Sequence, residues 1–201
     1  KTATDADAAV SATYGRIKGH YNGTAVYFGD ISTENANNAE TNSPLDRGEY
    51  SDTEASFRAF WSNMYLTINN ANVAIKNIPQ ISMEEDLKDR YVGEVRFLRA
   101  LAYFELVRAF GGVPLITEPT LDESNNLLPR ATSEKIYELI FDDLEYCETA
   151  LLDNKSDGRA TVWAAKGLMA KAYLQKGDFT NARKKALEII NSPVHDLEPF
   201  L

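Results

Sequence analysis

The side chains best suited to holding a ligand crowd into one stretch that lacks helical periodicity, residues 19–52. It carries Tyr21, Tyr27, Phe28 and Tyr50 beside Asn22, Asn35, Asn37, Asn38 and Asn42, with Asp30 among them. Flat aromatic faces next to amides suit a sugar, whose C–H face stacks on the ring while its hydroxyls hydrogen-bond. The candidate contacts are Tyr21, Tyr27, Asp30, Asn35, Asn38 and Tyr50. The competing account is that the tyrosines pin a loop to helices and the asparagines make turns. At about 34 residues the loop exceeds the usual connection, and such loops are often functional.

Covalent and metal chemistry have little to work with. The chain has no H-E-x-x-H pair, no G-x-x-x-x-G-K-[ST] phosphate loop, no G-x-S-x-G elbow and no G-x-G-x-x-G fingerprint. Two histidines, His20 and His195, and one cysteine, Cys147, are too few for a closed zinc site. His195 and Asp196 are neighbours in sequence, which does not make a catalytic pair. Residues 153–158 resemble a calcium loop, but Lys155 takes a ligand position and Ala164 stands where the bidentate Glu belongs. Asp142, Asp143, Glu145 and Glu148 read as a solvated helix face, since glycosidase carboxylates face each other across a cleft. No metal, cofactor or enzymatic activity is expected.

The elements that must position the loop are helices. Ala6, Val10, Tyr14 and Ile17 give a stripe over about 4–18, and Phe57, Phe60, Trp61, Met64, Tyr65, Ile68, Ala71, Ile75 and Ile78 a longer one from Thr53. On that stripe Trp61 reads as core. Pro79 stops the second helix. Ser82 with Glu85 suggests a capping box for a third, bearing Leu87, Tyr91, Val95, Leu98, Ala102 and Leu106 and ended by Gly111-Gly112 before Pro114. A proline-bearing connection, with a short extended piece expected at 113–116, leads to a fourth helix capped by Thr132 or Ser133, with Ile136, Ile140, Leu144 and Cys147 inward. Helices over about 161–176 and 179–191 follow, split by Gly177-Asp178. Tyr173, Gly177, Asp178, Phe179 and Ala182 match a tetratricopeptide unit, in which Gly-Asp makes the tight turn and Ala allows close helix approach. The fold class is all-α, built from antiparallel helix pairs that share a core.

Composition narrows the partners. The 201 residues are 44% hydrophobic and 25% charged, with a net charge of −9. That acidity argues against nucleic acid or anionic lipid as a general partner. The apolar stretches at 97–110 and 162–174 are broken by Arg99, Glu105, Arg108, Lys166 and Lys171, too charged to span a membrane. The first residues show no secretory signal, so an exported precursor would have lost its leader upstream. The single cysteine excludes an internal disulfide.

The run GEVRFLRALAYFELVRAFGGVPL at 93–115 closely resembles the signature of the SusD/RagB family of nutrient-binding outer-membrane lipoproteins of Bacteroidetes. Trp61, Tyr65, Ile68 and Asn72 resemble the family's preceding W-x-x-x-Y-x-x-I-x-x-x-N helix. Arg130, Thr132, Glu134, Tyr137, Ile140, Asp143 and Leu144 are similar to its next helix, and Gly158-Arg159-Ala160-Thr161 to its G-R-A-T turn. Gly29-Asp30-Ile31 is similar to a looser G-D-x-x-S-D stretch, with Thr33 replacing the acid. In the 93–115 run, Arg96, Arg99 and Arg108 can lay their stems on the helix and pair with buried carbonyls or carboxylates, Asp143 being a candidate.

The resemblance implies a SusD-like N-terminal helical domain over 1–201, with the family's C-terminal half, signal peptide and lipidated Cys outside it. It also implies non-catalytic capture of a nutrient, usually an oligosaccharide, at the outer-membrane surface. Delivery to a TonB-dependent SusC-like transporter would follow, with membrane attachment only through the lipid anchor. Two competing functions are a helical-repeat adaptor that binds a protein or peptide in its groove, and a glycoside hydrolase, which would need two facing carboxylates.

Overall fold

The computed structural model describes residues 1–23, 25, 48–49, 55–120, 128–153 and 158–194. Within them lie six α-helices: α1 (Ala3–Tyr21), α2 (Ala55–Asn77), α3 (Glu85–Phe110), α4 (Ser133–Ala150), α5 (Val162–Lys176) and α6 (Phe179–Ile190). A 3-10 turn, Ile78–Gln80, follows α2. Among the described residues the only β pairing is an isolated antiparallel bridge between Pro114 and Arg130. The all-α reading holds.

The apolar stripes point where their spacing directs them. α3 lies centrally, packed by α1, α2 and α4, while α5 packs on α4 and α6 on α5. Leu98, Tyr103 and Leu106 of α3 meet Met64 and Ile68 of α2 and Ile136, Ile140 and Leu144 of α4 in the main core. A smaller core joins Ala6 and Val10 of α1 to Ala71 and Ala74 of α2 and to Val92 and Val95 of α3. Fully burying one such Leu or Ile contributes about 1.5–3 kcal/mol, so a handful on each face is enough to hold each helix.

The ends are set by local chemistry. Thr2 caps α1: its hydroxyl accepts the Asp5 N–H, and the Asp5 carboxylate accepts the Thr2 N–H at 2.7 Å. The capping box expected at Ser82 and Glu85 does not form. Glu84 is the N-cap of α3 and makes no side-chain cap, so Ser82 lies two residues too early for the box register. Glu85 and Asp86 instead place negative charge on the first turn, where the helix dipole favours it. Thr132 and Thr161 cap α4 and α5, each accepting from the N–H three residues on. Gly177, left-handed at φ 78°, closes α5, and the Asp178 side chain caps α6 from Asn181 N–H. That completes the Gly-Asp turn the repeat signature requires.

The turn after α3 is stitched down. Gly111 takes φ 70°. A Cβ on Gly112 would lie 2.2 Å from the Ala131 carbonyl oxygen, so only glycine fits there. Ala131 N–H donates to Val113 O at 2.9 Å, and Arg130 donates to the carbonyls of Phe110 and Gly112. On the other side Tyr65 Oη donates to Pro114 O at 2.7 Å, Asn72 Nδ2 donates to Ile116 O and Glu118 O, and Tyr103 Oη accepts Ile116 N–H.

Candidate functional site

Of the six candidate contacts, the described residues include Tyr21; Tyr27, Asp30, Asn35, Asn38 and Tyr50 lie outside them. Tyr21 is the last residue of α1 rather than part of a loop beginning at Gly19. The helix outlasts its expected end because Lys18 places a basic group on its final turn and the His20 ring buries against Phe60, ring centroids 4.6 Å apart.

Tyr21 borders a cleft of about 410 Å³ that also takes in His20, Phe60, Glu105, Arg108 and Gln175. Tyr21 is 43% exposed; its phenol donates to Glu105 Oε1 at 3.1 Å, while Arg108 donates to Glu105 Oε2 at 3.0 Å. Burial, then the Glu105 charge, pushes the Tyr21 phenol far up, so it stays a neutral donor. Burial holds His20 below the ordinary imidazole range, which keeps it uncharged at neutral pH. The cleft thus offers an aromatic edge, a carboxylate steadied from both sides, a guanidinium and an amide. That set can recognise hydroxyls.

The buried charges behind the cleft are scaffold. Arg99 donates through Nε and Nη2 to both Asp143 oxygens at 2.8 Å and through Nη1 to Asn72 Oδ1 at 2.8 Å. Arg96 adds a 3.6 Å contact to Asp143 and lies over the Tyr146 ring. Asp143 therefore leaves the solvated face on which its acidic neighbours placed it. Burial drives its carboxyl up, and the two Arg99 bonds oppose that. Arg108 departs from the expected buried pairing because it stands nine residues past Arg99, on the opposite side of the helix; it meets Glu105 at the surface. A second buried acid, Glu94, pairs with Arg159 at 3.0 Å, and Arg159 reaches Asp7 of α1 with its other nitrogen. The G-R-A-T turn is thus a clamp between α1 and α3.

Cys147 is buried with its thiol donating to Gly93 O at 3.2 Å. No group of three His, Cys, Asp or Glu among the described residues could hold a metal. No described helix is long and apolar enough to cross a membrane.

A family profile described as "starch-binding associating with outer membrane" (SusD-like) matches residues 5–174. The chain belongs to the SusD-like family. A SusD-like protein of Formosa agariphila is 31% identical over 173 residues, which cover 80% of this chain and 33% of the relative. A solved laminarin-binding SusD-like protein superimposes with a TM-score of 0.84 at 29% identity, over 96% of this chain and 44% of that one. A structure solved with a xylogluco-oligosaccharide gives 0.83 at 27% identity, over 96% and 41%. This SusD-like chain thus spans about a third of the length of that curated relative. The polar partners in its cleft, Glu105, Arg108 and Gln175, went unassigned in the sequence because they sit on α3 and α5, 84 or more positions from Tyr21. Only the fold brings them together.

Proposed function

We propose that this chain is part of a non-catalytic, surface-exposed outer-membrane lipoprotein that captures an oligosaccharide and hands it to a TonB-dependent, SusC-like transporter. The observation that carries the reading is the superposition of 96% of the chain on a laminarin-binding relative. The disposition of acids supports it. The two buried carboxylates among the described residues, Glu94 and Asp143, are each committed to a guanidinium, so neither is poised to shuttle a proton. The ligand contacts are Tyr21 at the cleft, together with Tyr27, Asp30, Asn35, Asn38 and Tyr50.

Calorimetric titration of the full natural chain with laminarin and xyloglucan oligosaccharides, alongside single alanine variants at the six positions, tests the assignment. At least two variants are expected to lose tenfold or more in affinity. Unchanged affinity at all six discards these contacts.

A further inference from the structure

A second hollow, about 450 Å³, opens on α2 away from the Tyr21 cleft, bordered by Trp61, Ser62, Tyr65, Asn69, Pro114 and Thr120. The Phe110 ring lies between the two sites, 5.3 Å from Trp61 and 5.4 Å from Phe60, which lines the first cleft. The hollow's aromatic corner is already built. Trp61 packs 5.0 Å from Tyr65, and the Tyr65 hydroxyl is committed to Pro114 O. A ligand arriving there would not have to order those rings, which lowers the entropic cost of binding.

The polar side of the hollow is uncommitted. Asn69 Oδ1 accepts the Thr120 N–H at 2.7 Å, which fixes the amide plane. Its Nδ2 hydrogens, the Ser62 and Thr120 hydroxyls and the Trp61 indole N–H have no partner among the described residues. Among the described residues, none of the bordering groups is a carboxylate, ammonium, guanidinium or imidazole. A charged ligand would lose solvation with nothing to pair against. A wholly apolar one would cover hydroxyls and an amide without satisfying them. What fits both walls is a neutral ring with one flat C–H face and a rim of hydroxyls.

We infer that the Trp61 hollow is a second saccharide subsite, selective for a neutral pyranose unit stacked on Trp61 and hydrogen-bonded by Asn69. The inference rests on the reading of this chain as a carbohydrate binder and adds a site with different chemistry. The Tyr21 cleft presents Glu105 and Arg108, whereas the described residues of the Trp61 hollow present no charge.

In the full natural chain, the difference in emission between the unaltered protein and its Trp61→Phe variant isolates the signal of the Trp61 indole. Laminarihexaose and cellohexaose are expected to shift its emission saturably, and an oligogalacturonide of equal length to leave it unmoved. Trp61→Phe should weaken calorimetric affinity for the neutral oligosaccharides at least tenfold. Asn69→Asp keeps the acceptor for Thr120 while removing the donor, so it tests the site even if Trp61→Phe fails to fold; at least fivefold weakening is expected. Neutral binding that leaves Trp61 emission and both variants unaffected, but falls in Tyr21→Ala, overturns the subsite and leaves the carbohydrate reading standing. Stronger binding of the charged oligomer overturns its selectivity. No binding of any saccharide overturns both.

Discussion

Asp143 takes two 2.8 Å bonds from Arg99, and Asn72 takes a third, so the guanidinium of a fully interior arginine is satisfied by two neighbouring helices. Asp143→Ala would strand that charge and is expected to cost about 3–5 kcal/mol in urea unfolding. At Cys147, burial pushes the thiol far above its ordinary range, and its hydrogen is committed to Gly93 O. A disulfide-exchange reagent should therefore leave Cys147 unmodified in the native protein and modify it in denaturant; rapid native labelling of Cys147 would contradict the packing. Asp178 titrates in the opposite sense: the N–H and then the side chain of Asn181 hold its carboxyl below the usual carboxylate range. A depressed native value means its contribution is present above the unfolded carboxylate pKa of about 3.9 and lost as pH falls through the native one. Asp178→Asn, which retains an acceptor for the cap, should remove that share of acid sensitivity, read as a smaller drop in urea midpoint between pH 7 and pH 3.

Helices were legible in the sequence wherever an apolar stripe ran for several turns, because period and burial say the same thing there. α4 shows it: Ile136, Ile140, Leu144 and Cys147 all lie inside. Boundaries were harder. The Ser82–Glu85 box failed because two acids on the first turn stabilise the α3 start without a side-chain cap, and α1 ran on because tertiary burial of His20 outweighed the weak helix propensity of Gly19. The Gly111-Gly112 stop was visible, yet the reason for its second glycine was not, since Ala131 approaches from nineteen positions later. Gly112→Ala is expected to cost at least about 2 kcal/mol by forcing the turn away from Ala131, measured by thermal unfolding. Gly15, with open space around its missing Cβ, is the control and should tolerate alanine.

At the scale of the molecule, the helix pairs form a platform whose buried ions, among the described residues, pair with one another, and the proposed recognition falls to its hollows. Tyr21 was singled out by residue type and borders a cleft; the residues beside it there were invisible because α3 and α5 contribute them from distant sequence. Trp61 was read as core, and its ring does pack on Tyr65 and Phe110, but it is only half-buried and also borders open space. Helical spacing reveals which stripe faces inward, not how completely neighbours cover its edge. The proposed function is capture of a saccharide without chemistry. Incubating the full natural chain with laminarin oligosaccharides, while following heat of binding and reducing-end release on the same samples, tests it most directly. Saturable heat with no new reducing ends is the predicted result; steady release of reducing ends, or no heat with any glycan, would contradict it.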